Sequence, residues 1–135
     1  MRILKLILKV VFAILFISAG ILHFTNPDFF VRIVPPILPA PLFIVYLSGV
    51  FEIALGILLL VPKFSRFAAF GLIALLIAVF PANIYMAISP QNFAEYNPLL
   101  LYLRLPIQLL LIWWAFWFTK TEVTVKPNFA TIIQQ

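Results

Sequence analysis

Residues 42–61 read LFIVYLSGVFEIALGILLLV. As a helix rising about 1.5 Å per residue, this stretch is about 30 Å long, the thickness of a bilayer's hydrocarbon core. It carries a single charge, Glu52, about ten residues and so about 15 Å in. Three more stretches share its length and character: 3–24, 67–88 and 99–118. The whole chain agrees with them. Of its 135 residues, 65% are hydrophobic and 10% charged, and the mean hydropathy is +1.18. A soluble domain carries roughly 25% charged residues, and a soluble core of this size cannot hide so much apolar surface. A soluble domain, a disordered chain, a disulfide scaffold and a DNA-binding domain are therefore poor fits. The expectation is an all-α integral membrane protein, a single membrane domain over 1–135 folded as a four-transmembrane-helix bundle in the lipid bilayer.

Loop charges set the expected orientation. With the N-terminus cytoplasmic, Arg2, Lys5, Lys9, Lys63, Arg66, Lys120 and Lys126 lie inside, and only Arg32 and Arg104 lie outside. Both termini are thus expected inside. Lys5 and Lys9, in the opening turns of the first span, can snorkel to the head groups, and Trp113, Trp114 and Trp117 form an aromatic belt at the inner interface. A cleavable signal peptide ending near Ser18-Ala19-Gly20 is the rival reading, but its removal would break the even helix count. The short turn Pro62–Arg66 makes the second and third spans antiparallel neighbours. In the first outer loop, Asn26 suits an N-cap, Pro27 the first helical position and Asp28 the first turn. A short interfacial helix over 27–34 is expected there, stopped by Pro35-Pro36 and lying as a lid. The second outer loop, 89–98, reads as ordinary and polar.

Charge and polarity inside the spans carry the functional signal, because lipid makes them costly, about 2.5–3.5 kcal/mol for a charge near the bilayer centre. The residues concerned are Glu52, Arg104, Gln108, Asn83, His23 and Ser48. Arg104 and Gln108 are four apart and share a helix face. Ser48, Gly49 and Gly56 flank Glu52 and let a neighbouring helix come close, so Glu52 is expected to face the bundle. In this topology Gln108 is level with Glu52 and Arg104 is a turn above. Pro81 frees the carbonyl of Ile77 and is expected to kink the third span beside Asn83. Two readings stay open. In one, Glu52 and Arg104 form a structural ion pair completed by Gln108 and Asn83. In the other, these groups line a polar pocket open to the outer leaflet. By helix rise, His23 and Glu52 lie roughly 10 Å or more apart in depth, which is awkward for a shared acid–base role.

Other chemistry finds little support. With no cysteine, the chain has no disulfide, thiolate nucleophile or CxxC redox pair of its own. One histidine and four carboxylates offer no metal-ligand spacing, so no metal site is expected. There is no phosphate-binding glycine loop and no nucleophile elbow. The basic residues mark a membrane face, so no nucleic-acid partner is expected.

Several stretches bear a family likeness: Ala19-Gly20-Ile21-Leu22-His23-Phe24, Ile33-Val34-Pro35-Pro36-Ile37-Leu38-Pro39, and Leu47-Ser48-Gly49-Val50-Phe51-Glu52-Ile53-Ala54-Leu55-Gly56. Phe80-Pro81-Ala82-Asn83-Ile84-Tyr85-Met86-Ala87 and Arg104-Leu105-Pro106-Ile107-Gln108 add to them. Over residues 10–118 the chain resembles the DoxX-like family of small four-helix bacterial membrane proteins. That resemblance implies a bundle in the inner membrane and a loose association with quinone-linked oxidoreductases. A more remote likeness to vitamin K epoxide reductase-like bundles stops at their cysteines, which this chain lacks.

Two functions follow as expectations. The first is a membrane subunit that binds a small molecule or lipid, with a quinone as the cofactor class: Arg104, Gln108 and Asn83 would bond its carbonyls, and Glu52 would exchange a proton. The alternative is a non-catalytic membrane anchor or assembly protein, with a protein partner or a second copy of the chain, whose polar cluster only fixes packing. Stand-alone catalysis ranks below both, behind a role as accessory subunit of an oxidoreductase, and a single copy of four helices is small for a transporter.

Overall fold

The computed structural model describes residues 2–120; Lys126, counted above with the inner charges, lies outside them. Among the described residues the chain is helical throughout and has no strand. The helices are α1 (Arg2–Thr25), α2 (Pro27–Ile33), α3 (Pro41–Leu60), α4 (Ser65–Ile88) and α5 (Pro98–Thr119), with a 3₁₀ turn at Pro90–Phe93. The four longer helices are each long and apolar enough to cross a membrane. They begin and end within two residues of the spans expected from hydropathy.

Local chemistry explains the helix starts. Proline stands in the first turn of α2, α3 and α5, where its missing N–H costs nothing and its φ suits a helix. At α5 the Asn97 side chain accepts from the Leu99 N–H at 3.0 Å. Asn26 does not act as the expected side-chain cap. Its own N–H instead donates to the Leu22 carbonyl at 2.8 Å, so α1 and α2 abut with one residue between them. Ala40, between Pro39 and Pro41, takes a left-handed conformation with φ of 49°.

Successive long helices pack side by side, α1 on α3, α3 on α4 and α4 on α5. Glycines set the α1–α3 approach. A Cβ added at Gly20 would lie 2.8 Å from the Gly49 carbonyl oxygen, and one at Gly56 would lie 3.2 Å from that of Ala13. No side chain fits between backbones this close. The resulting register puts Gly49 level with His23 and Phe24, so the first turns of α3 project past the end of α1.

Two apolar cores result, one toward each end of the bundle. At the end bearing the basic residues, Phe12, Phe16, Leu59, Leu72, Ala115 and Phe118 are buried together. Here Phe12 meets the rings of Trp114 and Phe118 edge-on at 5.0 and 5.6 Å and bridges α1 to α5. The opposite end, called the loop end below, buries Ile33, Met86, Phe93 and Leu101 under Phe29, Phe30 and Tyr96. The segment 89–98 is therefore not the ordinary polar loop expected: Phe93 plugs the second core. Amphipathic 3₁₀ turns this short leave no periodicity to read.

Candidate functional site

Between the two cores lies a cavity of about 530 Å³, walled by all five helices. Its mouth is the seam between α1 and α5, whose backbones scarcely approach each other. Leu15 of α1 and Ile107 of α5 line both the cavity and this seam, and each is about half exposed, at 49% and 52%. Toward the basic end the Phe12 cluster closes the seam. Most of the lining is apolar. The polar exceptions are His23, Glu52, Asn83, Arg104 and Gln108.

These five fall into two groups on opposing walls. On the α1–α3 side, His23 and Glu52 are 7% and 8% exposed, and His23 Nδ1 lies 3.1 Å from Glu52 Oε2. The separation of 10 Å or more expected from helix rise is thus wrong. It assumed that the spans end at one level, whereas the glycine contacts slide α3 past α1. His23 Nδ1 also lies 2.7 Å from the Ala19 carbonyl oxygen. A carbonyl only accepts, so Nδ1 carries a proton and donates it to Ala19. Glu52 Oε2 is left buried without an aligned donor. The Phe30 ring of α2 stacks on the His23 ring, with centroids 3.8 Å apart and planes at 21°.

On the α4–α5 side the polar groups form a chain. Arg104 Nε donates to Asn83 Oδ1 at 2.9 Å. Asn83 Nδ2 donates to Gln108 Oε1, and Gln108 Nε2 donates to the Leu76 carbonyl at 2.5 Å. α4 runs unbroken through Pro81, and Gln108 reaches the carbonyl one residue before the Ile77 carbonyl that the proline frees. The ion pair expected between Glu52 and Arg104 does not form. Among the described residues, the histidine is the charged-type partner of Glu52, and the terminal nitrogens of Arg104 have no protein partner. Asn83 Nδ2 and Gln108 Nε2 each commit one of their two N–H donors to this chain, while both terminal nitrogens of Arg104 have no bond to the described residues.

Ser48 stands apart from the other candidates. It lines a smaller chamber of about 90 Å³ between α2, α3 and α4, which the His23, Phe30 and Ile33 side chains divide from the main cavity. Its hydroxyl is buried without a partner.

Sequence reasoning missed the residues that fasten α2 over the cavity. Arg32 pairs with Glu95 at 2.5 Å, donates to the Asn92 carbonyl at 2.9 Å and lies 5.3 Å from the centre of the Phe93 ring. The pairing holds the Glu95 carboxyl below its ordinary range and raises the Arg32 guanidinium. The available signal was one basic and one acidic residue in two loops expected on the same side. Phe30 had no such signal, since nothing separates it in sequence from fourteen other phenylalanines.

The described residues bring no three His, Cys, Asp or Glu side chains together in a way that would hold a metal ion. An apolar cavity of a few hundred cubic ångströms with a few convergent polar groups is the usual form of a small-molecule site. Over the described residues, fold and site define a helical protein with four potential membrane spans around a mostly apolar cavity that carries five polar side chains. Residues 12–119 match a domain of unknown function, DUF8561, and the chain belongs to that family. No curated protein and no solved structure matches it.

Proposed function

We propose that this chain is a multi-pass protein of the cell inner membrane, with both termini cytoplasmic, that binds a lipid-like small molecule with a polar head in the cavity between α1 and α5. One observation carries the reading: Glu52, whose buried Oε2 has His23 Nδ1 at 3.1 Å but no aligned donor, and Arg104, whose terminal nitrogens have no partner among the described residues, line the same cavity of about 530 Å³. A buried polar atom left without a partner costs about 1–3 kcal/mol, so a ligand that satisfies both walls recovers that free energy. The ligand class is a carbonyl-bearing apolar molecule such as a quinone. Arg104 donates to one carbonyl. Glu52 and His23 hold or exchange a proton at the other side, and the tail leaves through the seam past Leu15 and Ile107. A redox-associated accessory role, as in the DoxX-like proteins that the sequence resembles, is part of this proposal.

The test is mass spectrometry of lipids that co-purify with the protein. A quinone enriched over bulk lipid, and lost on Glu52→Gln or Arg104→Met in protein that remains folded, is the expected result. No enrichment, or equal retention by both variants, refutes the quinone reading. Orientation is separately accessible: the chain has no cysteine, so Lys63→Cys and Glu95→Cys can be labelled cleanly from each side of intact cells. Label at 95 from outside and at 63 only after lysis is the expected pattern.

The second reading, a non-catalytic anchor or assembly protein, draws on the Arg104–Asn83–Gln108–Leu76 chain, which ties α5 to α4 and so gives these polar groups a packing role. It predicts that a stoichiometric partner survives in pull-downs with Glu52→Gln and Arg104→Met.

A further inference from the structure

Among the described residues, His23 is the one polar side chain that lines both the main cavity and the smaller chamber between α2, α3 and α4. Its ring stands in the partition between the two spaces, with Nδ1 2.7 Å from the Ala19 carbonyl oxygen and 3.1 Å from Glu52 Oε2. Because Nδ1 carries the proton, Nε2 of the neutral ring is an acceptor, and it has no bond to the described residues. The other polar side chain of the small chamber is Ser48, whose hydroxyl is buried without a partner. One space is thus bordered by a donor and an acceptor that the protein leaves unmatched. Its volume of about 90 Å³ is room for about three waters at about 30 Å³ each, and falls short of the roughly 150 Å³ cavity that admits a benzene ring. Pro35 and Leu38, of the segment between α2 and α3, line the chamber, and Leu38 is 42% exposed. The chamber therefore reaches a side chain of the loop-end surface.

We propose that the small chamber binds water and passes protons from the loop end through His23 to Glu52. The proposal rests on the reading of Glu52 as the group that exchanges a proton in the main cavity, and it adds the route by which that proton arrives. An imidazole suits a partition because it takes a proton on one nitrogen and releases one from the other. A hydronium ion in the chamber gives its proton to the Nε2 lone pair and becomes water. The imidazolium turns its Nδ1 proton from the Ala19 carbonyl to ionised Glu52, 3.1 Å away. That leaves a neutral ring protonated at Nε2 and a carboxylic acid beside the main cavity. A half-turn about χ2 restores Nδ1–H toward Ala19. Ser48 holds the water by hydrogen bonding to it. The Phe30 ring, stacked on His23, covers one face of the imidazole, so water meets it at its edge. The ligand keeps its own path, the apolar seam between α1 and α5.

Two measurements on the full chain in lipid nanodiscs test the route, and neither needs a ligand. The chain has a single histidine, so isotope labelling of histidine reports on His23 alone. Water-edited NMR is expected to show magnetisation passing from water to the His23 ring, and Ser48→Leu, which fills the chamber, should slow that transfer severalfold. The absence of cysteine makes Ser48→Cys a clean second probe. Silver ion, similar in size to a water molecule, should modify this thiol at least about tenfold faster than that of Ala69→Cys, because thiol reactivity follows access. Ala69 is fully buried in the core at the basic end. Equal rates at the two thiols overturn the proposal, whether or not Ser48→Leu folds. So does transfer from water to His23 that Ser48→Leu leaves unchanged, because the water then arrives through the main cavity. A working route in protein that enriches no quinone upholds the relay and removes only the quinone.

Discussion

Asn83 joins a donor, Arg104, to an acceptor, the Gln108 side-chain carbonyl, and replacing it with leucine gives the sharpest test of the polar chain. Asn83→Leu removes the acceptor of Arg104 Nε and the donor to Gln108 Oε1. These losses are unequal. Arg104 lines the cavity, where water or a ligand can replace the lost acceptor. Gln108 is 3% exposed, so its carbonyl oxygen is stranded at a cost of about 1–3 kcal/mol. Gln108→Leu strands less. Asn83 faces the cavity, and the Leu76 carbonyl keeps the N–H of Phe80 one helical turn on. The single variants are therefore expected to lose about 2–3 and about 1 kcal/mol. The double variant should lose about as much as Gln108→Leu alone, since no amide oxygen is then left without a donor. The coupling by that count is about 2 kcal/mol, but interhelical hydrogen bonds measured in membrane proteins average about 0.6 and reach about 1.7, because the unfolded chain in lipid also finds partners. A coupling of about 1 kcal/mol or slightly more is the resulting prediction. Reversible unfolding in mixed micelles of all four proteins measures it as a double-mutant cycle. Additive losses, with a coupling below about 0.3 kcal/mol, would show that Asn83 and Gln108 do not bond, and the polar chain tying α4 to α5 would fall with them.

Three further outcomes follow from the geometry. Gly49→Ala adds a Cβ 2.8 Å from that of His23 and 3.1 Å from the Gly20 carbonyl oxygen. Overpacking of about 1–3 kcal/mol outweighs the gain of about 1 kcal/mol in helix propensity, so thermal stability should fall; a more stable variant would refute the α1–α3 register. The Arg32–Glu95 latch should depend on pH. Glu95 has a lowered value in the folded state, so its contribution is complete above the unfolded-chain value and is lost as pH falls through the lower folded one. Hydrogen exchange over α2 should quicken on acidification, and Glu95→Gln should exchange fast at every pH. Ala40→Gly relieves a left-handed residue that costs about 1–2 kcal/mol with a Cβ, against an unfolded-state penalty of about 0.4–1 kcal/mol; a small rise in melting temperature is expected, and a fall would show that Ala40 is unstrained.

Much of the bundle could be read locally. The four long helices follow from hydropathy, because each is an apolar stretch of about the length a bilayer requires and carries that pattern without its neighbours. The inward face of Glu52 was legible for a similar reason, since Gly49 and Gly56 lie on its side of the helix. Its partner was not legible. Opposite charge, one turn above it as counted from span ends, favoured Arg104, but the Gly20–Gly49 contact slides α3 along α1 and delivers Glu52 to His23. Arg104 bonds instead to Asn83 of the adjacent helix. The lid was half legible: Pro27 and Pro35 bracket α2, but nothing in 89–98 announced that Phe93 and Glu95 would hold it.

The sequence by itself determined the four long helices and the short one after Pro27, about how long they run and that Glu52 faces inward, because these depend on the free energy of each segment in its own surroundings. Tertiary structure decided which polar group meets which, where the cavity opens and what fastens the lid over it. Those outcomes turn on contacts of about 3 Å, and a slide of one helical turn, about 5.4 Å, exchanges one set of partners for another while leaving hydropathy unchanged.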